Sequence, residues 1–159
     1  DAGMLKRTTI QSFDWGALME MHRIDPDMPL VALTNEDFLE VGKPGASPWL
    51  GGIDADDPAG DFVSAAASVE GVVALSPVHG SPQGGAVADP GYEFYVTEEM
   101  VDAARARGLK VVPWTVDDRD TVAALMDMGV DGIITNYPDM VRGLMAERGM
   151  RLPKGHHRR

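Results

Sequence analysis

The chain contains no cysteine, so disulfides play no part in its fold, a composition that suits a cytosolic protein and a bacterial secreted one equally well. No apolar run of membrane length and no apolar targeting stretch occurs within the 159 residues. Basic residues are scarce: 14 Lys and Arg stand against 25 Asp and Glu, for a formal charge of −11. Nucleic-acid backbones are held by clustered Lys and Arg, so this balance argues against a nucleic-acid partner. It leaves room for a small anionic solute, which a few local groups can bind. Also missing is a glycine-rich phosphate loop after any strand, and with it the Rossmann and P-loop patterns.

What the chain has instead is a repeated strand-to-helix grammar. Arg7–Phe13 has strand composition and is followed from Asp14 by a helix with Trp15, Leu18, Met19 and His22 on one face, stopped by Pro26. Leu30–Leu33 is a continuous apolar run, as expected of a strand covered on both sides. A Gly- and Pro-rich stretch from Glu40 to Gly60 reads as a long loop. Asp61 caps a helix carrying Phe62, Val63, Ala66 and Val69, and Val72–Ser76 is the next strand. A second long loop, Pro77–Val96, holds His79, Tyr92, Phe94 and Tyr95. Thr97 then caps a helix with Glu98 and Glu99 in its first turn and Arg105 and Arg107 in its last, which matches the helix macrodipole. Strand Leu109–Val116 follows, then a helix through Val122, Leu125 and Met126. Strand Gly132–Thr135 comes next, and the last helix opens with Pro138 and closes at Gly149.

These are five β/α units. Right-handed crossovers force a parallel sheet. Five units make either an open doubly wound sheet or the last five-eighths of a (β/α)8 barrel, and the missing nucleotide loops favour the barrel. A whole barrel takes about 250 residues. The expected fold class is therefore α/β: a partial TIM-type (β/α)8 barrel made of the C-terminal five β/α units with parallel strands. Residues 1–150 form the barrel portion and 151–159 a flexible basic tail. The start at Asp1 is read as that of a mature or truncated C-terminal piece.

Four stretches carry more specific wording: Gln11-Ser-Phe-Asp14, Leu75-Ser-Pro-Val-His-Gly80, Gly108-Leu-Lys-Val-Val-Pro-Trp-Thr-Val116 and Gly129-Val-Asp-Gly-Ile-Ile-Thr-Asn-Tyr-Pro138. At these residues the chain resembles the C-terminal part of a glycerophosphodiester phosphodiesterase. The resemblance implies a β/α barrel that hydrolyses glycerophosphodiesters to glycerol 3-phosphate and an alcohol, with a divalent metal, Mg²⁺ or Ca²⁺. It also implies a small-molecule glycerophosphodiester as the partner, and the wording of the long loops is similar to secreted or periplasmic bacterial members. Two positions depart from the family pattern: Asn136 where Asp is usual, and Arg105 where many members have His. The family's His-Arg-Gly motif, its Glu-x-Asp metal ligands and its second His have no counterpart in this sequence. No catalytic or metal role is therefore transferred to any residue, and the chain alone is expected to be inactive.

The remaining candidates are substrate-binding. Trp114 ends a strand where barrels deliver side chains to their mouth, and with the resemblance it reads as a wall stacking on the glycerol moiety. Otherwise it packs between layers. Ser12 and Phe13 end the first strand by the same rule, Ser12 either bonding phosphate or capping the following helix. His79 lies in a loop on the same side, either touching substrate or serving structure. His22 reads as packed or half-buried, and His156 and His157 as tail. Asp54, Asp56, Asp57 and Asp61 lack the Gly and Glu of a calcium loop and read as a solvated acidic lid. A rival reading is a non-catalytic partial-barrel module that self-associates through the unpaired strand edges near Ile10 and Ile134. Another phosphate-handling barrel enzyme is a third.

Overall fold

The computed structural model describes residues 7–56 and 61–154. Its framework is a four-stranded parallel sheet in the order β1-β2-β3-β6, with β1 at Ile10–Ser12, β2 at Leu30–Thr34, β3 at Val72–Pro77 and β6 at Lys110–Val111. Strand order follows chain order: Ile10 pairs with Leu30, Ala32 with Leu75 and Leu75 with Val111. That progression is what successive right-handed β/α units produce. Within β2, Leu30, Ala32 and Thr34 are buried, the alternation of a strand whose two faces meet different surroundings.

Six helices accompany the sheet among the described residues: α1 at Trp15–Ile24, α2 at Glu36–Leu39, α3 at Phe62–Ser68, α4 at Glu98–Ala106, α5 at Arg119–Asp127 and α6 at Pro138–Glu147. Their starts obey capping chemistry. The carboxylates of Asp14, Asp61 and Asp118 accept from Ala17, Ser64 and Thr121 N–H, and Thr97 accepts from that of Met100. Each cap satisfies an otherwise orphaned donor, worth about 1 kcal/mol. Helix α1 ends at Asp25, the residue before Pro26, because proline disfavours helical geometry in the residue preceding it. Trp15 and Leu18 are buried without residual exposure, and Trp15 Nε1–H donates to the Leu33 carbonyl at 3.0 Å. One side chain thus fixes α1 to β2.

Two sequence expectations need correcting. The strand expected over Leu109–Val116 is regular only at Lys110–Val111, and Gly132–Thr135 forms no regular strand. The chain is nevertheless where the expectation puts it: Asp131 N–H donates to Val111 O and Ile134 N–H to Pro113 O, both at 2.9 Å. The ladder is irregular for two reasons. Pro113 has no N–H to give, and Val111 N–H goes to the Asp131 carboxylate at 2.9 Å instead of a carbonyl. A fifth, irregular rung thus continues the parallel order beyond β6.

The long loops are also more ordered than their composition implies. In the first, Ser47 Oγ donates to Leu39 O at 2.5 Å and accepts Ala55 N–H at 3.1 Å. Leu50 and Ala55 are buried, and Trp49 O accepts the Trp15 N–H at 2.9 Å. The loop is therefore pinned over the start of α1. Asp54 and Asp56 spend carboxylate oxygens on the backbone N–H groups of Asp56 and Gly42, while Asp57 lies outside the described residues. The second loop contains a two-residue antiparallel pair, β4 at Gly80–Ser81 and β5 at Glu93–Phe94. Of the expected tail, residues 151–154 are exposed and irregular, and His156 and His157 lie outside the described residues.

Candidate substrate wall at the carboxyl end of the sheet

Parallel strands gather their following residues at one end of the sheet, so Phe13, Phe38, His79, Trp114 and Asp117 all emerge on the same side. The aromatic groups form a chain. Phe13 meets Trp114 edge-on with centroids 5.4 Å apart, Phe13 meets Phe38 at 5.2 Å, and Phe38 lies against Trp49 at 5.4 Å. Phe13 follows β1 and Trp114 follows β6, with β2 and β3 between them. In a flat sheet those strands would be about 14 Å apart. Their rings touch because the sheet curls, as a barrel wall must.

Trp114 is held from two sides. Its Nε1–H donates to the Ser76 carbonyl at 2.8 Å, and its backbone N–H donates to Pro77 O at 3.1 Å. Ser76 in turn donates its hydroxyl to Val112 O at 2.6 Å. The indole is half-buried, so its plane is fixed while part of the ring stays open. Ser12 Oγ accepts the Asp14 N–H at 3.1 Å, which supports the start of α1 and leaves the hydroxyl proton free to donate.

His79 is 1% exposed. Its Nδ1 lies 2.8 Å from the Tyr92 hydroxyl, and the two rings stack at 5.7 Å. Burial pushes the imidazole pKa down, opposed by the negative charge of Asp117. Burial also pushes the Tyr92 phenol up to about 12. A phenol that keeps its proton donates to a neutral Nδ1, leaving the ring hydrogen on Nε2. His79 is thus closed off from solvent, with Tyr92 of the second loop stacked on it. A β-carbon at Gly80 would overlap the Tyr92 hydroxyl, so a larger residue there would push the phenol away from its present place on His79.

Two residues that the motifs alone do not single out, Asp117 and Phe38, complete the site, together with Asn136. Asp117 accepts from Asn136 N–H at 2.8 Å, Thr135 Oγ1–H at 3.0 Å and Asn136 Nδ2–H at 2.7 Å. The Asn136 backbone N–H is the main reason its carboxyl stays below the usual range. Asp117 therefore ties the segment after β6 to the end of the last rung, and Asn136, where the family usually has Asp, is its partner. The sequence carries part of the signal: Asp117 directly follows Val116, and Asn136 departs from the family pattern. Phe38 carries no such signal, because α2 is a single turn, too short to show periodicity.

The model of the glycerophosphoryl diester phosphodiesterase family matches residues 3–140. Glycerophosphodiester phosphodiesterase GDPD4 of Arabidopsis thaliana is 39% identical over 56 residues, covering 35% of this chain and 17% of that protein. A glycerophosphodiester phosphodiesterase of Caldanaerobacter subterraneus is 34% identical over 58 residues, 36% of this chain and 24% of its own length. Among solved structures, a Silicibacter pomeroyi protein assigned as a glycerophosphoryl diester phosphodiesterase superposes with a TM-score of 0.69 and 29% identity, over 94% of this chain and 41% of that one. The solved relatives are β/α barrels, so the parallel sheet described above is part of such a barrel. In each case the match spans less than half of the relative.

Proposed function

The chain belongs to the glycerophosphoryl diester phosphodiesterase family, and we propose that it supplies the C-terminal part of the barrel of a metal-dependent enzyme cleaving glycerophosphodiesters to glycerol 3-phosphate and an alcohol. Its share of the work is the substrate wall. Trp114 offers its face to the glycerol carbons, with the Ser76 carbonyl fixing the ring plane and Phe13 bracing its edge. Such a preset aromatic surface orients the diester and keeps water from one side of it. Ser12 is placed to donate its hydroxyl to a phosphate oxygen, and His79 bounds the site beneath Tyr92. The single observation that carries this reading is the Phe13–Trp114 contact, which makes the carboxyl end of the sheet concave.

Among the described residues, no group of three or more His, Asp or Glu converges to hold a metal ion. The donor set here does not fit the divalent ion the family implies, and no step is derived through one. In the complete enzyme, Mg²⁺ or Ca²⁺ and the acid–base groups would belong to elements other than these.

The test uses the three tryptophans as reporters. Titrating the chain with sn-glycerol 3-phosphate in an NMR experiment should move the Trp114 indole signal and leave that of buried Trp15 in place. No movement of Trp114 up to millimolar ligand would overturn the proposal.

A second reading, a partial-barrel module that self-associates, draws on β1 lying at the end of the sheet order among the described residues, since an unpaired edge invites pairing. Size-exclusion chromatography separates the two: dimers favour the module, and a clean monomer counts against it.

A further inference from the structure

The tip of the second long loop rests on an imidazole. Residues 82–92 carry their own turns, with Gly85 N–H donating to Pro82 O at 2.8 Å and Tyr92 N–H to Asp89 O at 3.2 Å. Among the described residues, only two hydrogen bonds join this stretch to the rest of the protein. Val87 N–H donates to Thr121 Oγ1 at 2.9 Å, and the Tyr92 hydroxyl meets His79 Nδ1 at 2.8 Å. Thr121 is fully buried at the start of α5, where its hydroxyl donates to Asp118 at 2.8 Å. The Tyr92 ring stacks over His79 at 5.7 Å and meets Phe94 edge-on at 5.1 Å. The base of the loop is held differently: β4 pairs with β5, and the N–H groups of Tyr95 and Val96 both donate to His79 O. The tip thus has a firm hinge and two pins, one of them protonatable.

One proton changes what Nδ1 can do. The neutral ring accepts the phenol hydrogen, whereas an imidazolium carries hydrogen on both nitrogens and accepts nothing. The phenol hydrogen then loses its acceptor, and a charge stands on a residue 1% exposed, which is unfavourable unless a carboxylate bonds it. No carboxylate does so among the described residues. The ionisable groups facing the imidazole are Tyr92 from the loop and Asp117 from the segment after β6. Asp117 spends both oxygens on Thr135 and Asn136, so it attracts the ring through space without bonding it. Asp118 of the α5 cap acts on Tyr92 instead, and Tyr95 reaches His79 through its backbone N–H. Asp89 and Glu93, the acids of the loop itself, are exposed. Trp114, whose carbonyl accepts the His79 N–H at 3.1 Å, brings no charge. From this geometry we infer that residues 82–92 are a cover over His79, released when the imidazole takes up a proton. Burial and the charge of Asp117 pull the imidazole in opposite senses and burial prevails, so the proton favours the open form. The device stands on the loop's own contacts and not on the diester reading.

Native-state amide hydrogen exchange of the 159-residue chain, read by NMR and corrected for the intrinsic pH dependence of exchange, tests this. Val87 N–H reports the tip. Leu30 N–H, which donates to Gly71 O at 3.0 Å from buried β2, reports global unfolding. Between about pH 7.5 and about pH 5.5 the opening constant at Val87 should rise about threefold to tenfold. Low urea should leave Val87 opening nearly unchanged while speeding Leu30, since a local opening exposes little surface. His79→Gln keeps a polar side chain that does not titrate, and should flatten the pH response at Val87. Tyr92→Phe keeps the ring and removes the pin, and should raise Val87 exchange at neutral pH roughly threefold to tenfold. A Val87 opening that ignores pH, keeps its full pH response in His79→Gln, or follows Leu30 through urea overturns the cover. Comparing Val87 with Leu30 in the wild type decides the matter even if a variant fails to fold.

Discussion

Phe13 and Trp114 meet edge-on at 5.4 Å although β2 and β3 lie between the strands that carry them. Contact across two intervening strands requires a curled sheet. A double-mutant cycle with Phe13→Leu and Trp114→Leu, followed by urea unfolding, should return a coupling of about 0.5–1.5 kcal/mol. A coupling of zero would mean the sheet is flat and the wall is not formed.

The Asp117 clasp should matter to stability and respond to pH. Asp117→Ala removes three hydrogen bonds at an exposed position, so solvent competition limits the loss to about 1 kcal/mol. Because the folded carboxyl is held below its ordinary value, its contribution is present above the unfolded pKa of about 3.9 and disappears as pH falls through the lower folded value. Denaturation of wild type and variant should therefore differ at pH 7 and converge in acid.

His79 gives a different pH signature. Burial depresses its folded pKa, so the unfolded chain binds the extra proton first. Stability is full above about pH 6.5 and falls as pH drops through the folded pKa. In His79→Gln this slope should be missing from unfolding curves taken between about pH 7 and pH 5. Gly80→Ala, which crowds the Tyr92 hydroxyl, should change the His79 titration seen by NMR.

Trp15 anchors the N-terminal half of the core. It is fully buried and hydrogen-bonded to Leu33 O, so Trp15→Ala should cost about 3–5 kcal/mol. Thermal unfolding followed by circular dichroism would show it. An unchanged midpoint would contradict the packing of α1 on β2.

The parts of the fold legible in the sequence were those written in periodicity and caps. Apolar runs at Leu30–Leu33 and Val72–Ser76 and caps at Asp61 and Thr97 are local signals, and the structure repeats them. The irregular last rung was not legible, because the Asp131 carboxylate displaces a carbonyl that only the folded register brings near Val111. The same holds for the site. Trp114 stood out by its place at a strand end, whereas the Asp117–Asn136 clasp joins residues 19 apart in sequence and is visible only once the strand ends meet. The β4–β5 pair leaves no trace in the sequence pattern, since two residues per strand carry no alternation.

Hydrolysis of glycerophosphocholine tests the central claim most directly, measured with Mg²⁺ or Ca²⁺ for the 159-residue chain alone and for a chimera joining it to the N-terminal half of the Caldanaerobacter relative. If these residues form the wall and the reactive groups come from elsewhere in the barrel, the chimera should turn over substrate and the chain alone should match buffer. Robust metal-dependent turnover by the chain alone would contradict it.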